Sequence, residues 1–515
     1  MKSILRRTWV PALFALLLFA GCGGGGSSSG STNPSNTSAG AIGGGPDTGG
    51  TVNPAPGGSN NQPAQPGQTP GQTTQPGQTA PSGPSSPSGP SATVASMGPL
   101  RVDPSNPRYF TDGNGNVVYL TGSHTWSDLK DVGKYNGSYL DYNAWLDLLQ
   151  SNGHNFMRGW QWELTMHSDG TYTPQPWLRT GPGTALDGKP KFDLSQFDQS
   201  YFDNIRARVI AAGQRGIYVS VMLFEGWGLQ FEPASLRWAG HPFNSSNNIN
   251  GINGDPNGTG QGLEIQTLQI PAVTAIQEAY VKKMIDTLDD LDNVLWEVAN
   301  ESGPYSTGWQ YHMINFIKSY ESTKPKQHPV GMTFQYDGGS DSTLFASPAD
   351  WISPASSSYL SNPPAGDGSK VILIDTDHLG TPDKAWVWKS FTRGLNPIYM
   401  DGYVSPSSID LTSRKNMGYS LQYAKKMDLA AMTPQENLSS TGYCLANPGS
   451  EYLVYQPSSG SSFTVSLAAG TYNYEWFNPA TGAVAGTGTV TSGGGSDSFS
   501  APFSGDAVLY LHVSR

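Results

Sequence analysis

Cysteine is nearly absent from this chain: Cys22 and Cys444 are the only two among 515 residues. A disulfide-stapled fold is therefore excluded, even for an exported protein. Charge is also scarce, at 13% of residues, and acidic residues outnumber basic ones 40 to 29, for a formal net charge of −11. That balance offers no basic face to nucleic acid. No zinc-protease helix motif, phosphate loop or dinucleotide fingerprint occurs, so neither a metal nor another cofactor is expected. What the chain has instead is glycine, proline and aromatic residues, with 63 Gly, 39 Pro, 14 Trp and 24 Tyr.

These residues are distributed unevenly. Lys2, Arg6 and Arg7 precede an apolar stretch, Trp9 to Phe19, that is too short to span a bilayer and reads as an export signal. It ends Leu18-Phe19-Ala20-Gly21-Cys22, which resembles a bacterial lipoprotein signal. That resemblance implies lipidation of Cys22, a place at the outer membrane or cell surface, and membrane contact through the lipid anchor alone. Cys444 would then have no partner within the chain. Residues 23–96 are Gly, Ser, Pro, Thr, Asn and Gln with repeated Gln-Pro-Gly-Gln-Thr units, a composition that cannot bury enough apolar surface to fold. As a flexible tether it would reach roughly 50 Å.

From Met97 onward, apolar runs alternate with helically spaced segments. Eight candidate strands are Val118–His124, Asn155–Trp160, Ile217–Phe224, Val294–Glu301, Val330–Phe334, Trp351–Pro354, Val371–Asp377 and Pro397–Asp401. Helical spacing recurs over Tyr142–Gln150, Phe202–Ala212, Ile276–Leu288, Trp309–Tyr320, Ala385–Arg393 and Met417–Met432. Eight such repeats predict an α/β fold, a (β/α)8 TIM barrel over 97–433, preceded by a hairpin around Asp112–Asn116. Catalysis on such a barrel belongs where the strands end. The stretch Val294-Leu295-Trp296-Glu297-Val298-Ala299-Asn300-Glu301 is an apolar strand that breaks into polar residues at its tip. Alternation predicts that Glu297, Ala299 and Glu301 share the inward side.

Asn155-Phe156-Met157-Arg158, the strand ending Asn300-Glu301, and Phe192-Asp193-Leu194 with Tyr201-Phe202-Asp203 together resemble the clan A, cellulase-like glycoside hydrolases over Leu120 to Asp401. The resemblance implies Glu301 as general acid/base, Asn300 on a sugar 2-hydroxyl, and Arg158 bracing the nucleophile. The clan's strand-seven Glu is missing. In its place the chain has Val371-Ile372-Leu373-Ile374-Asp375-Thr376-Asp377-His378, whose Asp375 and Asp377 point the same way on a strand. Either could attack the anomeric carbon, and Asp377 lies nearer the tip. Glycosidic cleavage needs one carboxyl to protonate the leaving oxygen and an ionised one to face the ring carbon. At strand ends and on the loops that follow them, His124, Trp126, Trp160, Trp162, Glu225, Trp227 and His378 are further candidate substrate contacts, since the rim carries recognition on a barrel. The missing Glu also leaves open a glycan-binding protein without turnover.

Past Pro434 the periodicity becomes alternating, with short strands near Tyr443, Tyr452, Phe463, Tyr472, Val484, Val490 and Val508, which predicts an antiparallel β-sandwich over 434–515. The run Tyr472 to Gly482 resembles the collagen-binding-type domain found after barrel hydrolases. A packing cap on the barrel is its expected role, ahead of carbohydrate docking. The whole is expected to act as a monomer on a carbohydrate substrate.

Overall fold

The computed structural model describes residues 98–132, 140–167, 170–230, 237–377, 379–403, 406–458 and 460–513. The export signal, Cys22, the linker and His378 lie outside the described residues. Eight parallel strands build one sheet: β1 (Gly122–His124), β2 (Phe156–Gly159), β3 (Tyr218–Glu225), β4 (Val294–Asn300), β5 (Val330–Thr333), β6 (Trp351–Ser353), β7 (Val371–Asp375) and β8 (Asn396–Met400). They neighbour one another in chain order from β2 to β8, and β8 then pairs with β1. This is the expected TIM barrel.

Between them run α1 (Tyr142–Ser151), α2 (Gln199–Gly213), α3 (Pro271–Leu288), α4 (Thr307–Glu321), α5 (Asp341–Ala346), α6 (Lys384–Thr392) and α7 (Ser408–Lys426). Asp141, Asp198 and Asp383 cap α1, α2 and α6 by accepting from backbone N–H groups of the first turn. The last helix differs from the Met417–Met432 expected from spacing. It starts at a capping box formed by Ser407 and Asp410 and stops at Lys426. Helix α5 and a long hairpin, Trp177–Thr184 with Pro190–Phe197, were not apparent from spacing alone. No described helix is long and apolar enough to cross a membrane.

The seam where β1 meets β2 is closed by Asn155. Its backbone N–H donates to the Thr121 carbonyl at 3.1 Å. Its side chain accepts from the Thr121 N–H at 3.0 Å and donates to the Tyr119 carbonyl at 2.8 Å. One residue thus satisfies backbone groups that a full ladder would otherwise pair. Gly122 is required beside it, because a Cβ there would sit 2.0 Å from the Phe156 carbonyl oxygen.

Strand alternation sorts the side chains into layers. Phe156, Tyr218, Leu295, Trp351, Val371, Leu373 and Ile398 cluster with Leu100 and Phe110 of the N-terminal three-stranded sheet, which plugs the barrel floor. Gly331 leaves room for the Trp351 ring, 1.9 Å from where its Cβ would be. Met157, Val219, Val221, Val294, Trp296, Ile372 and Ile374 face the helices. Two residues further along several strands the inward positions become ionisable: Phe156 gives way to Arg158, Leu295 to Glu297 and Leu373 to Asp375.

The C-terminal strands are β9 (Cys444–Asn447), β10 (Glu451–Gln456), β11 (Phe463–Leu467), β12 (Gly470–Asn478), β13 (Ala483–Ser492), β14 (Gly495–Phe499) and β15 (Ala507–Val513). One sheet runs Thr433–Pro434, β9, β10, β15, β12, β13, and β11 pairs with β14 in a second. Cys444, Tyr452, Val454, Trp476, Leu509 and Leu511 fill the space with Phe463, Val465 and Phe499 of the second sheet, which makes the sandwich core. The alternate residues Leu445, Leu453, Tyr455, Phe477, Val508 and Tyr510 pack on Trp388 and Phe391 of α6 and Leu421 and Tyr423 of α7. The larger sheet is therefore buried on both faces over its central strands, and the sandwich packs against the barrel as a cap. Cys444 is a free, buried thiol.

Gly122→Ala tests the seam. Overpacking against a backbone carbonyl has no side chain to yield, so urea denaturation is expected to show a loss of about 2–3 kcal/mol. An unchanged midpoint would count against the packing described.

Candidate active site

Arg158 ends its run on β2 pointing into the top of the barrel, fully enclosed at 1% exposure. Each of its five N–H groups has a separate acceptor. Nε donates to Glu297 Oε2 at 3.0 Å, and Nη2 donates to Glu297 Oε1 and, at 2.8 Å, to Asn300 Oδ1. Nη1 donates to Asp375 Oδ2 at 2.7 Å and to Asp377 Oδ2 at 3.4 Å. Burial opposes the guanidinium charge, and Glu297 with Asp375 outweighs it, so Arg158 stays protonated.

Asp375 is anchored three ways. Besides Arg158, its Oδ1 accepts from the Asp377 backbone N–H at 3.1 Å and from His124 Nε2 at 2.9 Å. The tautomer of His124 is set from behind: the Trp160 indole N–H donates to Nδ1 at 2.7 Å, which leaves Nε2 to carry the ring proton. Burial would push the Asp375 carboxyl up, but His124 and Arg158 hold it well below the ordinary carboxylate range. Asp375 is ionised. Asp377, two residues beyond the strand, is more open, with 13% of its side chain exposed against 5% for Asp375.

A cavity on this face is lined by Arg158, Asn300, Thr333, Phe334, Ser353, Ala355, Asp375 and Asp377. Four sequence-predicted site residues thus meet in one place. Asn300 points its oxygen at Arg158, and its buried Nδ2 has no acceptor among the described residues. The expected parity holds for Glu297, which is inward on Arg158, but lapses beyond it. Ala299 packs with the helix-facing core, and Asn300 turns inward in its place. The strand ends there, and Glu301 adopts a left-handed backbone with φ +54°. Such a conformation costs a non-glycine residue about 1 kcal/mol or more. Gln230 Nε2 holds Glu301, donating to its carbonyl and to Oε2 at 2.9 Å each.

Other sequence-predicted contacts take different places. His124 is fully buried with both ring nitrogens spent within the protein, so it orients Asp375 and is not a surface for sugar. Trp160 and Trp162, at 1% and 5% exposure, stack on each other at 5.6 Å inside the wall. Trp227 meets Trp162 edge-on at 5.3 Å, and Trp126, 44% exposed, offers its carbonyl to the Trp162 indole. Of these four rings, only Trp126 is substantially exposed.

Glu225 is buried too, with Oε2 accepting from the Gly228 N–H at 2.8 Å. Burial, then Glu163 and Glu301, raise its pKa to about 8. Lys130 lies in the same buried group with its amine on the Trp162 carbonyl, and burial lowers its pKa to about 7. The Gly/Asn-rich segment 244–262 is scaffold: Asn247 Nδ2 donates to the Ala239 and His241 carbonyls, and Asn248 Nδ2 to those of Pro242, Asn244 and Ile252. Lys130, Glu163, Gln230 and Asp128, whose carboxylate accepts from the Trp160 N–H at 2.8 Å, were missed from sequence. They sit in irregular loops without a spacing signal.

A family model described as a domain of unknown function (DUF6298) matches residues 141–344. No curated protein sequence matches the chain. Among solved structures, one described as a glycoside hydrolase is 13% identical with a TM-score of 0.54, over 81% of this chain and 97% of that one. Another, a glycoside hydrolase family 5 from Bacteroides vulgatus, is 12% identical with a TM-score of 0.55, over 81% and 94%. The chain has the fold of these glycoside hydrolases. At such identities the likeness is one of architecture.

The raised pKa of Glu225 has a measurable consequence. Between pH 4.5 and 7 the unfolded chain releases this proton while the folded chain keeps it, so stability falls as pH rises. Glu225→Gln is expected to lessen that decline by about 2–3 kcal/mol across the window. Parallel slopes in urea melts of variant and parent would contradict the assignment.

Proposed function

We propose that the protein is a glycosidase, hydrolysing the glycosidic bonds of an oligosaccharide or polysaccharide, with Glu301 as acid/base and Asp377 as nucleophile. The carrying observation is the arrangement about Arg158, in which Asp375 has its oxygens committed to three donors while Asp377 lines the cavity more openly. Asp375 and Arg158 then form an anchor that keeps negative charge in place, and Asp377 is the carboxylate that can move onto a ring carbon. The unpartnered N–H of Asn300 suits a sugar hydroxyl.

In the first step Glu301 gives its proton to the glycosidic oxygen as the carbon–oxygen bond breaks. Asp377 bonds to the anomeric carbon, and the alcohol departs. In the second, Glu301 takes a proton from water, whose oxygen attacks the same carbon and releases Asp377. Positive charge on the ring in both transition states is met by the carboxylates around Arg158. Two displacements retain anomeric configuration. Trp126, on the loop after β1, is the proposed aromatic contact. Export and a lipid on Cys22 are proposed from the N-terminal sequence, which would place this site on a tether at the bacterial surface.

Two measurements bear on this reading. Across a glycan panel, Glu301→Gln and Asp377→Asn are each expected to lower kcat by roughly a hundredfold or more, with retained configuration in the parent's product by proton NMR. Full turnover in either variant, or an inverted product, sinks the assignment. In cell fractionation, Cys22→Ser is expected to move the protein out of the membrane fraction. Unchanged partition would refute the anchor.

A further inference from the structure

We infer that Gln230 is a positioning residue for Glu301, a clamp that fixes the carboxyl's orientation and favours its ionised form. This rests on the glycosidase reading. The loop after β3 approaches the end of β4 as closely as backbones allow. Glu225 is in register with Asn300, and the Gly226 N–H donates to the Asn300 carbonyl at 2.7 Å. A Cβ on Gly226 would lie 2.5 Å from Ser302 Cα and 2.6 Å from the Glu301 carbonyl oxygen, so only glycine permits this contact. Four residues on, half-buried Gln230 sends both N–H groups of one amide nitrogen to Glu301, one to its carbonyl and one to Oε2, each at 2.9 Å.

This pair of hydrogen bonds has two effects. It ties the side chain to its own backbone, so the left-handed turn at Glu301, at φ +54°, and the direction of its carboxyl are fixed together. It also occupies Oε2 with a donor. A donor at that oxygen stabilises the ionised carboxyl over the protonated one. Because the amide favours the ionised form, it eases loss of the proton to the leaving oxygen in the first step and holds the carboxylate aimed at water in the second. Gln230 need not touch the substrate.

Other ionisable groups on neighbouring elements must be held constant in any test. They are Glu163 and Glu225 on the β2 and β3 sides, Arg237 stacked on Trp227, Arg158, Asp375 and Asp377 in the cavity, and Tyr305 and Tyr336 on the loops that follow β4 and β5. The variants chosen therefore alter Gln230 alone.

The experiment is an infrared titration of the Glu301 carboxyl, isolated by subtracting the matching Glu301→Gln spectrum, for the parent, Gln230→Ala and Gln230→Glu. Gln230→Ala is expected to raise the midpoint by about one pH unit. Gln230→Glu, nearly the same shape, is expected to raise it further through like-charge repulsion. In the same proteins, kcat on a cleaved glycan should fall roughly tenfold with KM little changed. Adding Gln230→Ala to Glu301→Gln should cost no further activity, since the two act as a unit. A midpoint unmoved in both Gln230 variants overturns the clamp, as do additive losses. A parent without hydrolysis, or a Glu301→Gln variant with full activity, defeats the glycosidase reading instead. The infrared midpoint needs no substrate and still judges the clamp.

Discussion

Everything at the top of the barrel is arranged about one guanidinium. Arg158 is buried, and three carboxyls and an amide share its donors. A buried cation is tolerable only when it is paired and its hydrogen bonds are met. Here all five N–H groups are used, and they draw on β4 and β7 together with Asp377, two residues past β7. The same pairing makes the site possible, because it stabilises negative charge where water is excluded. Removing the arginine would leave Glu297 and Asp375 buried without it, so the residue is structural and electrostatic at once.

A second feature is the chain of hydrogen bonds that reaches Asp375 from the opposite side. Trp160 sets the tautomer of His124, and His124 donates to Asp375. Asp128 in turn receives the Trp160 backbone N–H. Aromatic residues that could have been taken for a sugar platform are thus spent on fixing a carboxylate. The open part of the site is small, and the polarity that surrounds it is preorganised before any ligand arrives.

Much of the barrel was legible because strand parity and helical spacing are periodic signals. All eight strands were placed to within a few residues, and the inward Glu297 followed from alternation with Glu301. The signal failed where the backbone leaves the regular pattern. At the tip of β4 the parity lapses before the strand ends, with Ala299 against the helices and Asn300 inward, and Glu301 follows in a left-handed turn. Trp160, Trp162 and Glu225 follow strands, as rim contacts should, yet they pack inward because neighbouring loops cover them. Gln230 carries no motif, and Asn155 is legible only as the start of the strand-two motif. Their roles come from hydrogen bonds between segments distant in sequence, which no local pattern records. The start of α7 was obscured because its first turns are polar, although Ser407 and Asp410 form a recognisable cap.

The larger sheet of the C-terminal domain has no water-facing side over most of its central strands. Its residues alternate between the sandwich interior and the flank of α6 and α7, and the Lys384–Asp506 ion pair and the Tyr423–Glu475 hydrogen bond border that contact. Barrel and sandwich consequently share one cooperative unit instead of behaving as beads on a string. A chain cut ahead of Thr433 would bare a greasy strip of tryptophan, phenylalanine and tyrosine, and the excised sandwich would bare the matching one. Neither fragment should be expected to travel alone between architectures.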